Sequence, residues 1–155
     1  MEVRLFQPED TEQIAQLFYD TVRNINIRDY TVAQIIAWSP TNFDWRNWLK
    51  VCTARFTYVA TEGEEIVGFG ELEANGHIDC FYIHYQYQRR GVGRRIYKTI
   101  ETKAKELSLI RLYVEASITA KPFFIRQGFE IISPQQVFCR GEILTNYLME
   151  KKLYY

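Results

Sequence analysis

Residues 82–95 read YIHYQYQRRGVGRR and combine the end of a strand, a polar loop and the first turn of a helix. Gly91 and Gly93 lack a Cβ atom, so the backbone N–H groups of residues 89–94 can converge on one point at the positive end of the helix dipole. Several arginines flank that point. The pattern favours a loop that binds a phosphate group, and a tight turn with a solvated basic rim is the alternative.

The segment upstream of this loop predicts helices followed by an antiparallel meander. Residues 3–6 read as a short strand, and Pro8 opens a helix whose apolar residues follow the helical period. Thr31 and Gln34 form a capping-box pattern before a short helix at residues 32–38. A further helical turn at 45–51 is followed by three β-rich runs between turn residues, which predict antiparallel strands at 55–61, 65–73 and 77–84.

The segment downstream of the loop predicts a crossover and a hairpin. Residues 91–107 carry apolar side chains at helical spacing, and residues 109–115 read as another strand. A strand, a helix and a strand in this order imply a parallel pair within a mixed sheet. A shorter helix then ends before Gly128, and two final runs pair as a hairpin; these elements are 119–127, 129–140 and 142–153. The predicted fold class is α+β, a mixed arrangement of helices and strands.

Composition restricts the classes of protein to consider. The chain has 155 residues, 47% of them hydrophobic, which predicts one domain over residues 1–155. Its 19 basic and 19 acidic residues balance, which argues against nucleic-acid or membrane binding driven by net charge. The chain shows no apolar membrane span and no secretory signal, so we expect a cytoplasmic protein. Cys52, Cys80 and Cys139 are odd in number and far apart, which predicts reduced core residues and no metal site.

Two motifs resemble those of the GNAT N-acetyltransferase family. The string Gln88-x-x-Gly91-x-Gly93 is similar to the family's acetyl-coenzyme A binding motif. Residues 116–129, ASITAKPFFIRQGF, resemble its second signature, Asn-x-x-Ala-x-x-Phe-Tyr-x-x-x-Gly-Phe. Because the order of elements also matches over nearly the whole chain, the resemblance implies the GNAT fold. That fold is a mixed, mostly antiparallel sheet flanked by helices, with a central parallel strand pair that splays apart.

The resemblance implies acetyl-CoA as cosubstrate, with no metal, and a set of binding positions. Pantetheine would pair with exposed backbone between the strands that end near Tyr82 and Glu115. The N–H of Ile83 or of a neighbour could polarise the thioester carbonyl. The implied cofactor-binding residues are Tyr82, Ile83, Gln88, Arg89, Arg90, Gly91, Val92, Gly93, Arg94, Ser117, Phe123 and Phe124.

An acetylated amine must first lose a proton, so a base is required. His77 stands at about the place from which some GNAT members present a glutamate base, and an imidazole titrates near neutral pH. The alternative is a hydrogen-bonded histidine beside a turn. The two-residue strand period predicts that His77, Asp79 and Phe81 share one face, so Asp79 could orient His77 or relay a proton. Glu71 and Glu73 on the neighbouring strand are further candidate bases, or else solvated strand residues.

The chain departs from the second signature at two positions. Phe124 matches the signature's tyrosine and cannot donate a proton to the leaving thiolate, and Ser117 replaces the signature's asparagine. Ser117 can still bond the cofactor or cap the next helix. The acid would then be Tyr82, Tyr113 or Tyr147, or water would protonate the thiolate, or the protein would bind the cofactor without fast transfer.

We expect a primary amine of a small molecule or peptide, held by residues of the first helices and the last hairpin: Tyr19, Arg23, Asp29, Tyr30, Gln34, Trp38 and Tyr147. Alternatives are a GNAT-fold acyl-CoA-binding protein with little or no transferase activity, a dinucleotide-binding protein with Glu115 as its ribose ligand, and a nucleic-acid module. The sequence leaves a homodimer open.

Overall fold

A computed structural model describes residues 1–154, in which helices and strands follow the predicted order. The strands are β1 (Glu2–Leu5), β2 (Phe56–Glu62), β3 (Glu65–Leu72), β4 (His77–Ile83), β5 (Arg111–Ser117), β6 (Glu130–Cys139) and β7 (Glu142–Lys152). The helices are α1 (Thr11–Asn24), α2 (Val32–Trp38), α3 (Trp48–Ala54), α4 (Val92–Glu106) and α5 (Lys121–Arg126). Within residues 1–154, none of these helices has both the length and the apolar composition needed to cross a membrane.

The strands form one mixed sheet in the order β1-β2-β3-β4-β5-β7-β6. The pair β4–β5 is parallel, and the other neighbours are antiparallel. This confirms the mixed, mostly antiparallel sheet with a central parallel pair. A dinucleotide-binding fold would require several parallel crossover units, so that interpretation is wrong for this chain.

Two apolar layers cover the two faces of the sheet. Helix α4 places Ile96, Ile100 and Ala104 on one face, each with no exposed surface. Helices α1 and α3 cover the other face, where Phe18 and Trp48 are 3% and 5% exposed. Burying each side chain of this size contributes about 1.5–3 kcal/mol. The two layers therefore enclose β2, β3 and β4 from both sides, whereas β5 contributes buried apolar side chains to the α4 layer.

A bulge in β4 changes which of its side chains share a face. Leu72 pairs with Ile78 and Gly70 pairs with Phe81, so β4 has one residue more than β3 between these pairs. Asp79 accordingly contacts Arg55 on the α3 side, whereas Phe81 packs against Phe123 and Phe124 on the α5 side. The prediction that Phe81 shares a face with Asp79 was wrong, because strict alternation does not survive a bulge.

Strands β4 and β5 separate soon after they meet. Their parallel pairing consists of His77 with Tyr113 and Ile78 with Val114. Beyond these pairs, each strand continues for several residues next to its other neighbour, β3 or β7. The splay predicted for the central pair is confirmed, and it opens a cleft through the middle of the sheet.

Candidate active site

The cleft has a volume of about 1320 Å³ and follows the gap between β4 and β5. Its walls include Ile83 and Tyr82 from β4, Glu115 and Ser117 from β5, and the loop of residues 88–94. The residues predicted to bind the cofactor that line it are Tyr82, Ile83, Gln88, Arg89, Gly91, Val92, Gly93, Arg94, Ser117, Phe123 and Phe124. Twelve positions were proposed, and Arg90 is the one outside this lining. The fold thus brings two distant sequence motifs to one cavity.

The loop of residues 88–94 has a backbone suited to an anion. Gly91 precedes the first turn of α4 with φ +81°, and Arg89 also has a positive φ of 60°. Gly93 is buried, and a Cβ atom there would lie 3.1 Å from Phe123 Cε1. The missing side chain therefore lets Phe123 of α5 pack closely against the N-terminal end of α4, a helix of 15 residues.

The arginines of the loop are available for a ligand. Arg89, Arg90 and Arg94 are exposed, and Arg90 stacks over Tyr87 at 5.0 Å from the ring centroid. Within residues 1–154, no carboxylate forms a salt bridge with any of these three guanidinium groups. Their charge can therefore act on a bound phosphate.

The backbone of Ile83 faces the cleft rather than β3. Its carbonyl oxygen accepts hydrogen bonds from Thr21 Oγ1 at 3.1 Å and from Gln88 Nε2 at 2.7 Å. The N–H and C=O of one strand residue point to the same edge, so the Ile83 N–H is directed into the gap as well. The same alternation directs the N–H of Phe81 there. Two backbone donors consequently face the position of a ligand.

The second motif builds the opposite wall. Phe124 is 1% exposed and packs against Phe81, Phe123 and Phe129. Ser117 Oγ accepts a hydrogen bond of 3.0 Å from the Ala120 N–H, which closes the turn before α5. The N-cap of α5 is Ala120, so Ser117 does not cap the helix itself. No hydroxyl therefore stands at the Phe124 position itself.

The three candidate acids lie in different surroundings. Tyr82 lines the cleft, and burial raises its pKa well above the usual value, while a hydrogen bond with Trp38 acts in the opposite direction. Tyr113 is stacked on His77, and its hydroxyl accepts a hydrogen bond from Asn75. Tyr147 lies under Lys121 Nζ at 4.3 Å, away from the cleft walls. Of the three, Tyr82 is the one that the fold brings to the cleft.

The predicted bases also separate into different environments. His77 Nδ1 lies 2.8 Å from Glu73 Oε1, and His77 Nε2 lies 3.2 Å from Glu115 Oε1. These two carboxylates, and not Asp79, orient the ring. Asp79 lines the cleft and forms a close ion pair with Arg55. His77 stands behind the cleft wall, whereas Asp79 and Glu115 reach it.

Glu71 is completely buried, so the expectation of a solvated strand residue was wrong. Its carboxylate receives two hydrogen bonds from Arg46, at 2.8 and 2.6 Å, and one from Arg55 at 2.8 Å. Cys52 lies beside it, and burial raises the pKa of the Cys52 thiol to about 12. Removing one partner of such a buried pair costs about 3–5 kcal/mol. Glu71 therefore joins α3 to the sheet and does not contact the cleft.

A model of the Acetyltransferase (GNAT) domain matches residues 28–151. The chain belongs to the GNAT acetyltransferase family. An uncharacterized N-acetyltransferase of Escherichia coli, YafP, is 34% identical over 153 residues, covering 98% of this chain and 96% of that protein. A crystal structure from Rhodopseudomonas palustris, described as a GCN5-related N-acetyltransferase and as a class-II aminotransferase, has a TM-score of 0.93 at 30% identity, covering 98% of this chain and 95% of the other.

A more distant likeness confirms the GNAT fold. The PaiA N-acetyltransferase of Thermoplasma acidophilum, solved in complex with coenzyme A, has a TM-score of 0.80 at 16% identity and 98% coverage of both chains. Membership of the family makes this chain an N-acetyltransferase, as the sequence analysis predicted. The alternative of a binding protein with little or no transfer is not favoured.

Most residues predicted to hold the acceptor make internal contacts in this GNAT acetyltransferase. Tyr30 donates to the Thr145 carbonyl at 2.6 Å and accepts from the Ile118 N–H at 2.9 Å, so it ties the first helices to β5 and β7. Further contacts hold Tyr19, Arg23, Asp29 and Gln34 against Phe43, Ser39, Thr119 and Ile143, respectively. Trp38 is the member of that set that lines the cleft.

Sequence reasoning missed several residues of the cleft wall in this GNAT acetyltransferase. Thr21, Asn26 and Arg28 reach the cleft from the end of α1 and the turn after it. Glu115 reaches it from β5. One signal for Glu115 was present, because Tyr113, Glu115 and Ser117 alternate with apolar residues and therefore share a polar strand face.

Proposed function

We propose that this GNAT acetyltransferase binds acetyl-CoA in the cleft and transfers the acetyl group directly to the amine of a small acceptor. The observation that carries the proposal is the splay of β4 from β5 next to a loop whose arginines form no salt bridge with a carboxylate of residues 1–154. The pyrophosphate would bind the backbone N–H groups of residues 89–94 and the guanidinium groups of Arg89 and Arg94. The relative crystallised with coenzyme A supports this choice of cosubstrate.

Backbone donors of β4 would position the thioester. The N–H of Ile83, or that of Phe81, faces the gap and can bond the thioester carbonyl oxygen, where negative charge develops during attack by the amine. Losing one such donor typically lowers a rate by about 100- to 1000-fold. Thr21 and Gln88 hold the carbonyl of the Ile83–His84 peptide group, which is next to the peptide group that carries the Ile83 N–H, so this end of β4 is fixed before the reaction.

The leaving thiolate can be protonated by Tyr82 or by water. Tyr82 lines the cleft, and a tyrosine hydroxyl is protonated at neutral pH, as a donor requires, although burial raises the pKa of Tyr82 and so makes it a weaker acid. Free thiols titrate near pH 8.5, so the thiolate is also a tolerable leaving group without an acid. The presence of Phe124 where the signature has a tyrosine therefore does not prevent transfer.

The polar side of the cleft suits a small, cationic acceptor. Asp79 and Glu115 lie on the two splayed strands and both line the cavity, so an ammonium group in the cavity can meet carboxylates. Arg55 balances the charge of Asp79, which leaves little excess negative charge for a long polycation. A primary amine or an amino-acid-like molecule fits this surface. A reducing compartment, such as the cytoplasm, fits the free thiols of Cys52, Cys80 and Cys139.

The proposal is tested by measuring thiol release from acetyl-CoA across a panel of primary amines, with mass spectrometry of each product. We expect release that depends on the amine and an acetylated product in equal amount. Thiol release that is the same with and without every amine would contradict the proposal. Monoamines, diamines and amino acids belong in the panel, because they separate a small acceptor from a polycation.

A further inference from the structure

Glu115 occupies a position from which it can contact an acceptor. It is the first residue of β5 beyond the last pair with β4, and its side chain is 46% exposed and lines the cleft. Asp79 is its counterpart on β4, but Arg55 holds that carboxylate in a close ion pair. Glu115 has no arginine or lysine partner within residues 1–154. Its carboxylate is therefore the more available base of the two.

The ring of His77 fixes one end of the Glu115 carboxylate. Its Nε2 lies 3.2 Å from Glu115 Oε1, and its Nδ1 lies 2.8 Å from Glu73 Oε1 on the other side. The ring also stacks on Tyr113, with 4.8 Å between the centroids. A ring held at both nitrogens and on one face has little freedom to rotate, so Glu115 Oε1 stays engaged and Oε2 remains for the cleft.

Glu73, His77 and Glu115 form a row of three groups, and the number of hydrogen-bond donors that its two contacts need shows that the row can hold two protons. A neutral imidazole has one N–H and one acceptor nitrogen, whereas both nitrogens of His77 face carboxylate oxygens. Both contacts are satisfied by an imidazolium between two carboxylates, or by a neutral ring beside one carboxylic acid. The row therefore accommodates a proton on Glu115 without breaking apart.

Resting on the proposed function, we propose that Glu115 is the base that deprotonates the acceptor and that His77 is its positioning residue, fixed in turn by Glu73. A proton leaves the acceptor ammonium, breaking an N–H bond and forming an O–H bond on Glu115. The freed nitrogen lone pair attacks the thioester carbonyl carbon, the C–S bond then breaks to release the thiolate, and the nitrogen gives up a second proton to water as the neutral amide forms. Glu115 returns its proton to the thiolate or to water.

Other charged groups on the face of the sheet that carries Glu115 have partners of their own or lie farther along the strands. Arg111 binds Glu150 at 2.6 Å, and Arg55 binds both Asp79 and Glu73. The charged and titratable groups around Glu115 are His77, Glu73, Asp79, Arg55, Arg111, Tyr113 and Glu150. Glu150 faces the same side as Tyr113 but stands on β7. It therefore offers a matched control.

The test compares kcat/KM for an acceptor amine between wild type and Glu115→Gln from pH 6 to pH 10. We expect Glu115→Gln to lower kcat/KM about a hundredfold at neutral pH, since general bases typically contribute at least this much. The loss should shrink as the pH rises and the free amine becomes abundant. Glu73→Gln and His77→Gln should show smaller losses with the same trend, while Glu150→Gln should match wild type.

The outcomes separate this inference from the function on which it rests. Transfer by wild type together with an unchanged pH profile in Glu115→Gln would overturn the role of Glu115 and leave the acetyltransferase intact. A loss that is equal at every pH would also overturn it, because a structural defect is not relieved by free amine. Absence of transfer in wild type would overturn both. Calorimetry with acetyl-CoA should give wild-type affinity for Glu115→Gln, which confirms that the cofactor site is folded.

Discussion

Gln88 Nε2 donates a hydrogen bond of 2.7 Å to the carbonyl oxygen of Ile83. This contact joins the first residue of the proposed phosphate-binding loop to the last residue of β4. It therefore couples the position of the loop to the Ile83–His84 peptide group, which is next to the N–H proposed to bond the thioester. One side chain links the two halves of the proposed cofactor site.

Gln88→Leu should weaken acetyl-CoA binding by about five- to tenfold, because a hydrogen bond contributes about 1 kcal/mol and about 1.4 kcal/mol corresponds to tenfold. Calorimetry measures this directly. Gln86 is an exposed glutamine of the same segment, so Gln86→Leu is the matched control and should bind as wild type does. Equal affinity in both variants would show that the contact does not support the site.

Gly93→Val should reduce acetyl-CoA affinity by more than tenfold, because even its Cβ would lie 3.1 Å from Phe123 and 3.6 Å from Ile83 Cγ1. Gly91→Val should act differently. A Cβ at position 91 would meet no atom of residues 1–154 within 4 Å, but φ is +81°, so the backbone at the start of α4 must change. Circular dichroism checks folding, and Gly93→Ala serves if the valine variant unfolds. Unchanged affinity in folded variants at both positions would refute the loop assignment.

Phe124→Tyr should raise the single-turnover rate of transfer, by about tenfold at most, since a thiol of pKa about 8.5 already leaves readily. The added hydroxyl must fit among Phe81, Phe123 and Phe129, which surround the ring of Phe124. A second variant, Tyr82→Phe, should lower the single-turnover rate if Tyr82 is the acid. An unchanged rate in Phe124→Tyr, with its hydroxyl within hydrogen-bond reach of the sulfur, would show that no acid is missing there.

The Arg4–Asp10 pair should make stability depend on pH. Burial opposes ionisation of Asp10, but hydrogen bonds from Arg4 and from the Gln7 N–H outweigh it, so its pKa is lowered. A lowered folded-state pKa stabilises the fold above the unfolded value of about 3.9, and this stability is lost as the pH falls further. Asp10→Asn should lower the free energy of unfolding by about 1–3 kcal/mol at pH 7.

Chemical denaturation at several pH values checks this dependence. The difference in the free energy of unfolding between wild type and Asp10→Asn should become smaller as the pH is lowered from 5 towards 2. Glu9→Gln is the control, because Glu9 is exposed and adjacent, and its effect should be small at every pH. A constant difference between wild type and Asp10→Asn would indicate that the pair acts through packing and not through charge.

Local patterns in the sequence predicted the order of elements well. The capping box of Thr31 and Gln34 forms both of its hydrogen bonds, at 3.1 and 2.8 Å, and α4 begins directly after Gly91. These features depend on neighbouring residues, which a sequence displays. The predicted boundaries of α5 were too wide, because Ser117 caps a turn that delays the helix to Lys121.

Contacts between distant residues could not be predicted in the same way. The bulge in β4 depends on its register with β3, and the alternation of His77, Asp79 and Phe81 gives no sign of it. Similarly, Glu71 is buried because Arg46 reaches it from a loop 25 residues away along the chain. Such pairs become visible once the sheet brings the segments together.

The most direct test of the account is a crystal structure with acetyl-CoA bound. We expect the pyrophosphate at the N–H groups of residues 89–94 and the thioester carbonyl oxygen about 2.7–3.1 Å from the backbone nitrogen of Ile83 or Phe81. A pyrophosphate bound elsewhere, or a thioester carbonyl with no contact to either nitrogen, would contradict it.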